Sequence, residues 1–375
     1  MRPLTYVAVD TAAIKHNLSQ VRGLLQPATA LMAVVKANGY GHGLVLAARA
    51  CAEAGAEWLG VSLVEEGIAL RQAGLTLPVL VFLPFPAEQA EALVEHDLCA
   101  TVVSERQLTA LARAGEAAGR PARCQLFLDS GLGRPGVGEN LARLVELAAG
   151  FPQLRLEGVY THLDAEVSAA GSLLEVVRPG TELRLFAATA RSLAARAGGQ
   201  GLLVHAAASA SVLLRPDTHL DLVRVGTLLY GQYPGAVPPS RRPLELRSTL
   251  ELRSTILAVD QLPPGATVGY GAEYRCPRPT RVALLPVGYA VGLGVLPESL
   301  ARRRHQGWKG CLRRWLRPEQ EAPTIGGRPV PLLGRIAMDW CCLDVTDLPE
   351  AEVGTEVVLP VRRLMMDSAL ERVEV

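Results

Sequence analysis

Lysine is nearly missing from this chain: of 38 basic residues only Lys15, Lys36 and Lys309 are lysines, which leaves 38 − 3 = 35 arginines. A reaction that needs a primary amine therefore has three candidate residues. Excess charge is missing too. Thirty-eight basic against 37 acidic side chains leave a net charge of +1, which argues against a chain-wide electrostatic partner such as nucleic acid or an anionic membrane surface. The most apolar stretch, 201–214, is interrupted by His205, Ser209 and Ser211 and is too short to span a bilayer. The opening residues MRPLTYVAVD contain no apolar core of a secretory signal. Seven scattered cysteines include no C-x-x-C pair. An odd count without pairing motifs excludes a disulfide framework and points to reduced thiols, hence to the cytoplasm.

What is present is apolar. Hydrophobic residues make up 49% and charged residues 20% of the chain, enough for a large core and too little polarity for disorder as the main state. At 375 residues the chain exceeds what one core usually takes, so two domains are expected. Tyr6 to Val9 reads as a strand. Asp10 takes a helix N-cap position, and Ile14, Leu18, Val21 and Leu25 then recur at helical spacing. Eight short runs rich in Val and Leu follow, each trailed by an alanine-rich, helix-prone segment. They cover 30–35, 58–63, 79–83, 99–103, 124–128, 156–161, 202–206 and 222–225. Continuous apolar strands alternating with helices mean a parallel sheet covered on both faces. Eight repeats over about 200 residues predict an α/β fold, a closed (β/α)8 barrel of the TIM type.

After Tyr233 the pattern changes. Residues 234–243 are rich in proline and arginine and read as a linker. Beyond them Leu244, Leu246, Leu250, Leu252, Ile256 and Ala258 fall at even steps, and further strand-like runs cover 281–287, 331–336 and 356–359. A mainly β, antiparallel second domain is the expectation. Within it, 302–317 is a basic stretch with Trp308 and Trp315. In a neutral chain one such stretch reads as a solvated insertion rather than a nucleic-acid site. The literal G-x-G-x-x-G at Gly131 to Gly136 carries Pro135 near the helix entry and lacks an early βαβ unit, so it is weak support for a dinucleotide.

In such a barrel the working residues project from the C-terminal ends of the strands, with a phosphate commonly seated after strands seven and eight. Lys36 is the first residue past the first run, in VVKANGYGHG. Ser209 follows the seventh in HAAASAS, and Gly226 and Thr227 follow the eighth in VRVGTLLYG. An amine, a hydroxyl and small-residue backbone amides thus converge on one rim. Pyridoxal phosphate needs this combination: an amine for its aldehyde and N–H and O–H donors for its phosphate. Lys15 avoids the apolar stripe of its helix and Lys309 belongs to the basic stretch, so both read as solvated. His162 reads either as a site residue or as a histidine hydrogen-bonded at a strand end. His42 follows a glycine turn and is open to a structural or a functional reading.

VVKANGYGHG resembles the cofactor-lysine signature of the alanine racemases. LDSGLGRPG, YTHL, HAAASAS, VRVGTLLYG, VGYGAEY, LLPVGYA and GRIAMDW follow in the family's order at about its spacing, over nearly the whole chain. The resemblance implies a pyridoxal 5'-phosphate-binding barrel over 11–235 and a β-rich domain formed by 1–10 and 236–375. It also implies a head-to-tail homodimer with shared active sites, and D-alanine made for peptidoglycan precursors. Lys36 would carry the cofactor and act as base on one face of the substrate Cα. Tyr270, from the partner's β domain, would act on the other. Tyr40, Ser209, Gly226 and Thr227 would surround the phosphate. Arg224 would donate to the pyridine nitrogen, with His162 against it. Arg134 would help bind the substrate carboxylate, and Tyr289 and Met338 would line the wall lent by the partner.

The roles have a physical logic of their own. Racemisation removes a proton from one face of Cα and returns one to the other, so two groups must flank a planar centre. A phenol, with a reference pKa of about 10, needs positive charge nearby to serve as a base. An arginine stays charged and donates, so it cannot stabilise the ring's negative charge as a protonated pyridine would, which restrains side reactions. Related barrel decarboxylases place a carboxylate there instead.

Departures from the family pattern keep other readings in view. Phe127 stands where the family commonly has a carbamylated lysine, Ala208 replaces an asparagine, and Val291 replaces the aspartate of GYAD. The chain also ends at Val375, before a further tyrosine of longer members. A racemase of serine or another amino acid, a decarboxylase, or a non-catalytic pyridoxal-phosphate binder are the alternatives. Arg224 argues against decarboxylation, and a second domain bearing Tyr270 argues against a mere carrier.

Overall fold

The structure is a computed structural model that describes residues 3–129, 141–163, 188, 191–192, 202–295, 322–362 and 366–375. The chain divides into two compact units, one of residues 11–249 and one of residues 1–10 with 250–375.

In the first unit eight strands close into a barrel: β2 (Ala30–Val34), β3 (Trp58–Val61), β4 (Val79–Val81), β5 (Cys99–Val102), β6 (Ala122–Leu128), β7 (Leu154–Thr161), β8 (Leu203–Ala208) and β9 (Leu222–Val225). All neighbours are parallel. The ring closes where β2 pairs with β3 on one side (Met32 opposite Trp58) and β9 on the other (Met32 opposite Arg224). Each strand overlaps one of the eight apolar runs, because a strand buried on both faces is apolar at most of its positions. The interior is packed rather than hollow: Met32, Trp58, Leu80, Cys99, Phe127, Tyr160 and Leu222 form one buried cluster.

Helices cover the barrel. In α1 (Thr11–Arg22) the residues Ile14, Leu18 and Val21 are buried as their spacing predicts. The helix ends before Gly23, so Leu25, expected to continue the stripe, lies beyond it. Between β3 and β4 runs α3 (Val64–Gln72), preceded in the chain by α2 (Leu44–Glu53). Glu66, at the third position of α3, reaches back and accepts the N–H groups of Ser62 (2.8 Å) and Leu63 (3.1 Å), satisfying donors that a helix start leaves unpaired.

The division between the units falls after residue 249, whereas the linker composition places it after 235. Residues 244–249 are not strand, although their leucines fall at even steps. Their backbone is held by side chains of the barrel unit instead. Asn17 Nδ2 donates to Leu229 O (3.1 Å) and Arg247 O (2.9 Å), and Asn17 Oδ1 accepts from Arg247 N at 2.8 Å. Backbone polar groups satisfied this way need no ladder.

The second unit is mainly β. Its largest sheet includes β1 (Thr5–Val9), antiparallel to β10 (Leu250–Thr255) and parallel to the strand Arg372–Glu374, so the opening strand belongs to the second unit. Another sheet orders its strands Ala258–Leu262, Thr280–Leu285, Cys341–Asp344 and Leu332–Leu333. Of the run expected over 331–336, only Leu332–Leu333 is strand. Among the described residues six cysteines are free and buried, and no helix is long and apolar enough to cross a membrane.

Candidate active site

Lys36 is the second residue after β2 and is half-buried. The chain beyond it turns the wrong way for L-residues. Ala37 (φ 53°, ψ 55°), Asn38 (54°, 47°) and Gly39 (62°, 40°) are left-handed, followed by Tyr40 (φ 53°) and Gly41 (φ 90°). Each non-glycine residue held there costs about 1–2 kcal/mol, so neighbouring groups must hold the turn. Ala37 N donates to Glu66 Oε1 at 2.7 Å, and Asn38 Oδ1 accepts from Leu44 N at 2.9 Å.

The turn carries the Tyr40 ring across to the ends of β8 and β9. A Cβ placed on Gly226 would lie 2.6 Å from the Tyr40 hydroxyl, so only glycine admits the phenol there. Gly226 N donates to Ser209 Oγ at 3.1 Å. One phenol, one alcohol and backbone amides at the start of the short helix Ser209–Leu214 thereby meet at one point, the donor set that a phosphate requires. Thr227 follows directly and is half-buried. The Tyr40 ring stacks on Tyr230 (4.8 Å between centroids), which also packs against His42 (4.6 Å).

Arg224, on β9, is almost wholly buried. Its Nη2 donates to Thr161 O (2.7 Å) and Ala206 O (2.9 Å), and lies 3.5 Å from His162 Nδ1. Its Nη1 lies 2.6 Å from His205 Nδ1. A guanidinium has only donors, so Nδ1 accepts and the ring proton sits on Nε2, which donates to Gln125 Oε1 at 2.7 Å. Burial, then the Arg224 charge, pushes the His205 pKa well below the imidazole range and keeps the ring neutral. Tyr160 lies parallel to His205 at 4.9 Å, and the guanidinium sits 5.2 Å from the Tyr160 ring centre. Tyr160 is fixed in turn through Thr101 Oγ1 (2.8 Å), which donates to Val81 O.

In the β domain Tyr270, Tyr289 and Met338 are large side chains left exposed, at 61%, 48% and 59%. Tyr289 and Met338 belong to paired segments, since Tyr289 N donates to Ala337 O and Ala290 N to Met338 O, both at 3.0 Å. The Tyr270 ring leans on Trp340 at 5.8 Å.

The structure thus brings Tyr40, Ser209 and Gly226 together and sets His162 beside Arg224. Tyr270, Tyr289 and Met338 lie in the second unit, and Arg134 lies outside the described residues, as does the basic stretch 302–317. Phe127 is buried in the barrel interior, its ring 5.0 Å from Tyr160. Lys15 pairs with Glu53 at 2.5 Å, away from the rim. Sequence reading gave no role to His205, Gln125, Tyr160 or Tyr230. A signal was present for the first two: a histidine and a glutamine inside apolar strand runs need buried partners. Among the described residues, the buried donor Gln125 Nε2 has no hydrogen-bond partner.

A (β/α)8 barrel with a lysine at its first strand end, hydroxyls and backbone amides after its last two and a buried arginine on the last, in a chain with a second, β unit, places the protein among the barrel-fold enzymes. Two family models match this chain: the alanine racemase N-terminal domain over residues 9–234 and the alanine racemase C-terminal domain over 249–373. An alanine racemase of Desulfovibrio desulfuricans is 35% identical over 361 residues, 96% of this chain and 89% of that protein. One from Symbiobacterium thermophilum is 37% identical over 362 residues, 96% and 88% of the two chains. Among solved structures, alanine racemase of Clostridium difficile 630 matches with a TM-score of 0.82 at 26% identity, over 100% of this chain and 96% of that one. Alanine racemase from D-cycloserine-producing Streptomyces lavendulae matches at 0.79 and 30%, over 100% and 98%. The chain belongs to the alanine racemase family, a family of isomerases.

Proposed function

We propose that this protein interconverts L- and D-alanine with pyridoxal 5'-phosphate, supplying D-alanine for peptidoglycan precursors in the cytoplasm. The observation that carries the reading is the cradle of Tyr40, Ser209 and Gly226 beside the half-buried Lys36 and above Arg224. The residues fit the cofactor: glycine at 226 lets the Tyr40 phenol close on the strand end beside Ser209, and the hydroxyl and amide donors match a phosphate. When bound, the cofactor supplies an aldehyde for the Lys36 amine and a conjugated ring that makes the substrate Cα proton acidic.

The protein groups do the rest. The Lys36 amine accepts or returns the proton on one face of Cα. Tyr270 Oη serves the opposite face, supplied by a second copy in a head-to-tail homodimer. The exposure of Tyr270, Tyr289 and Met338 supports that assembly, because a cluster of large apolar side chains left in water is typical of an interaction surface. Tyr289 and Met338 line the lent wall, and Arg134 binds the substrate carboxylate. Arg224 donates to the ring nitrogen and keeps its own charge, while neutral His205 fixes its plane.

Circular dichroism tests the reading. Purified protein with pyridoxal phosphate should drive L-alanine to zero optical activity, and Lys36→Ala should abolish both this and the visible absorbance of the bound cofactor. A serine arm included in the same assay would take over as substrate if Phe127 and Ala208 redirect specificity. Persistent optical activity with every amino acid tested contradicts the proposal.

A further inference from the structure

We propose that His42 is a positioning residue for the reaction. By bonding the inside of the left-handed turn at 37–41 it holds Lys36 and Tyr40 where the chemistry needs them, an inference that rests on the cofactor reading above. His42 is wholly buried. Its Nδ1 lies 2.9 Å from Gly39 O and 3.2 Å from Tyr40 O. Carbonyls only accept, so Nδ1 carries a proton and donates to the turn itself. Its Nε2 lies 2.8 Å from Thr249 Oγ1, and the single proton of that hydroxyl serves either Nε2 or Tyr230 O, which lies 3.1 Å away. Tyr230 in turn places its ring between His42 and Tyr40 and its hydroxyl on Val34 O, at 3.1 Å, two residues before Lys36.

The circuit is closed. His42 holds the carbonyls of the strained turn, Thr249 anchors His42, and Tyr230 carries the Tyr40 ring toward Gly226. Three non-glycine residues in left-handed conformation do not persist unless the surroundings over-determine them. Ala37 is tied by Glu66 and Asn38 by Leu44, but the carbonyls of Gly39 and Tyr40 meet His42. Loss of the imidazole releases the end of the turn that bears the phosphate-binding phenol.

The experiment compares wild type with His42→Leu, His42→Asn and Thr249→Val. Apo-protein of each is titrated with pyridoxal phosphate by tryptophan fluorescence, and kcat and KM for L-alanine are measured on reconstituted enzyme. His42→Leu should bind pyridoxal phosphate about tenfold more weakly, the factor that one lost hydrogen bond to a positioned group carries. Its kcat should fall while KM for alanine holds, since a merely structural defect would lower the active fraction without weakening cofactor binding. His42→Asn, which keeps a donor near Nδ1, should recover part of the loss. Thr249→Val, which loses only the anchor, should show a smaller defect of the same kind, and it decides the matter if His42→Leu does not fold. Wild-type cofactor affinity and kcat in His42→Leu, or in Thr249→Val where that variant decides, would overturn the proposal. Failure of wild type itself to take up pyridoxal phosphate would overturn the cofactor reading beneath it.

Discussion

Arg224 is a buried charge whose plane is set by its neighbours, and His205 is the neighbour whose protonation state matters most. The ring accepts from Arg224 only while neutral. Its folded pKa is depressed, so in acid the unfolded chain takes up a proton that the folded protein resists. Stability is therefore fully present above the unfolded imidazole value of about 6.5 and is lost as pH falls below it toward the folded pKa. Urea unfolding at pH about 7.5 and about 5.5 should show a larger loss in wild type than in His205→Gln, which has no titrating ring. Equal losses in the two proteins would contradict the depressed pKa. Lys36, Ser209, Gly226 and Thr227 were legible because strand ends in a barrel are where chemistry collects, whereas Arg224, inside its strand, was marked only by the family resemblance. His205 and Gln125 stood in plain view inside apolar runs, but their partnership required the register of β6, β7 and β8, which no single run reveals.

At the scale of elements, the barrel strands were readable because burial on both faces leaves a continuous apolar signature. The left-handed turn was not, since Ala37, Asn38 and Tyr40 have no sequence preference strong enough to announce it. Its stability comes from other elements. Glu66 of α3 serves two structures at once, accepting from Ser62 and Leu63 at its own helix start and from Ala37 in the turn. Glu66→Ala should lower stability by about 0.5–2 kcal/mol, the cost of losing a helix cap. The check is a lower denaturant midpoint with an unchanged slope. An unchanged midpoint would mean that water replaces the carboxylate at no cost. The segment 244–249 teaches the converse: its alternation suggested a strand, yet Tyr233 and Asn17 claim its backbone, and Asn17 is brought to it from far along the chain only by the fold.

For the whole molecule, the sequence motifs recur over both units, and the family models cover both. The amine and its cradle belong to the barrel unit and the exposed Tyr270 belongs to the β unit. An account in which Tyr270 is lent to a second copy makes neither unit sufficient. The most direct measurement is complementation between two inactive variants. Lys36→Ala and Tyr270→Ala should each be inactive alone, and the two are mixed under conditions that exchange subunits. A mixed dimer holds one site with both wild-type groups, so random exchange should restore about a quarter of wild-type racemisation. No recovery, with mixed dimers demonstrated by mass, would contradict the account.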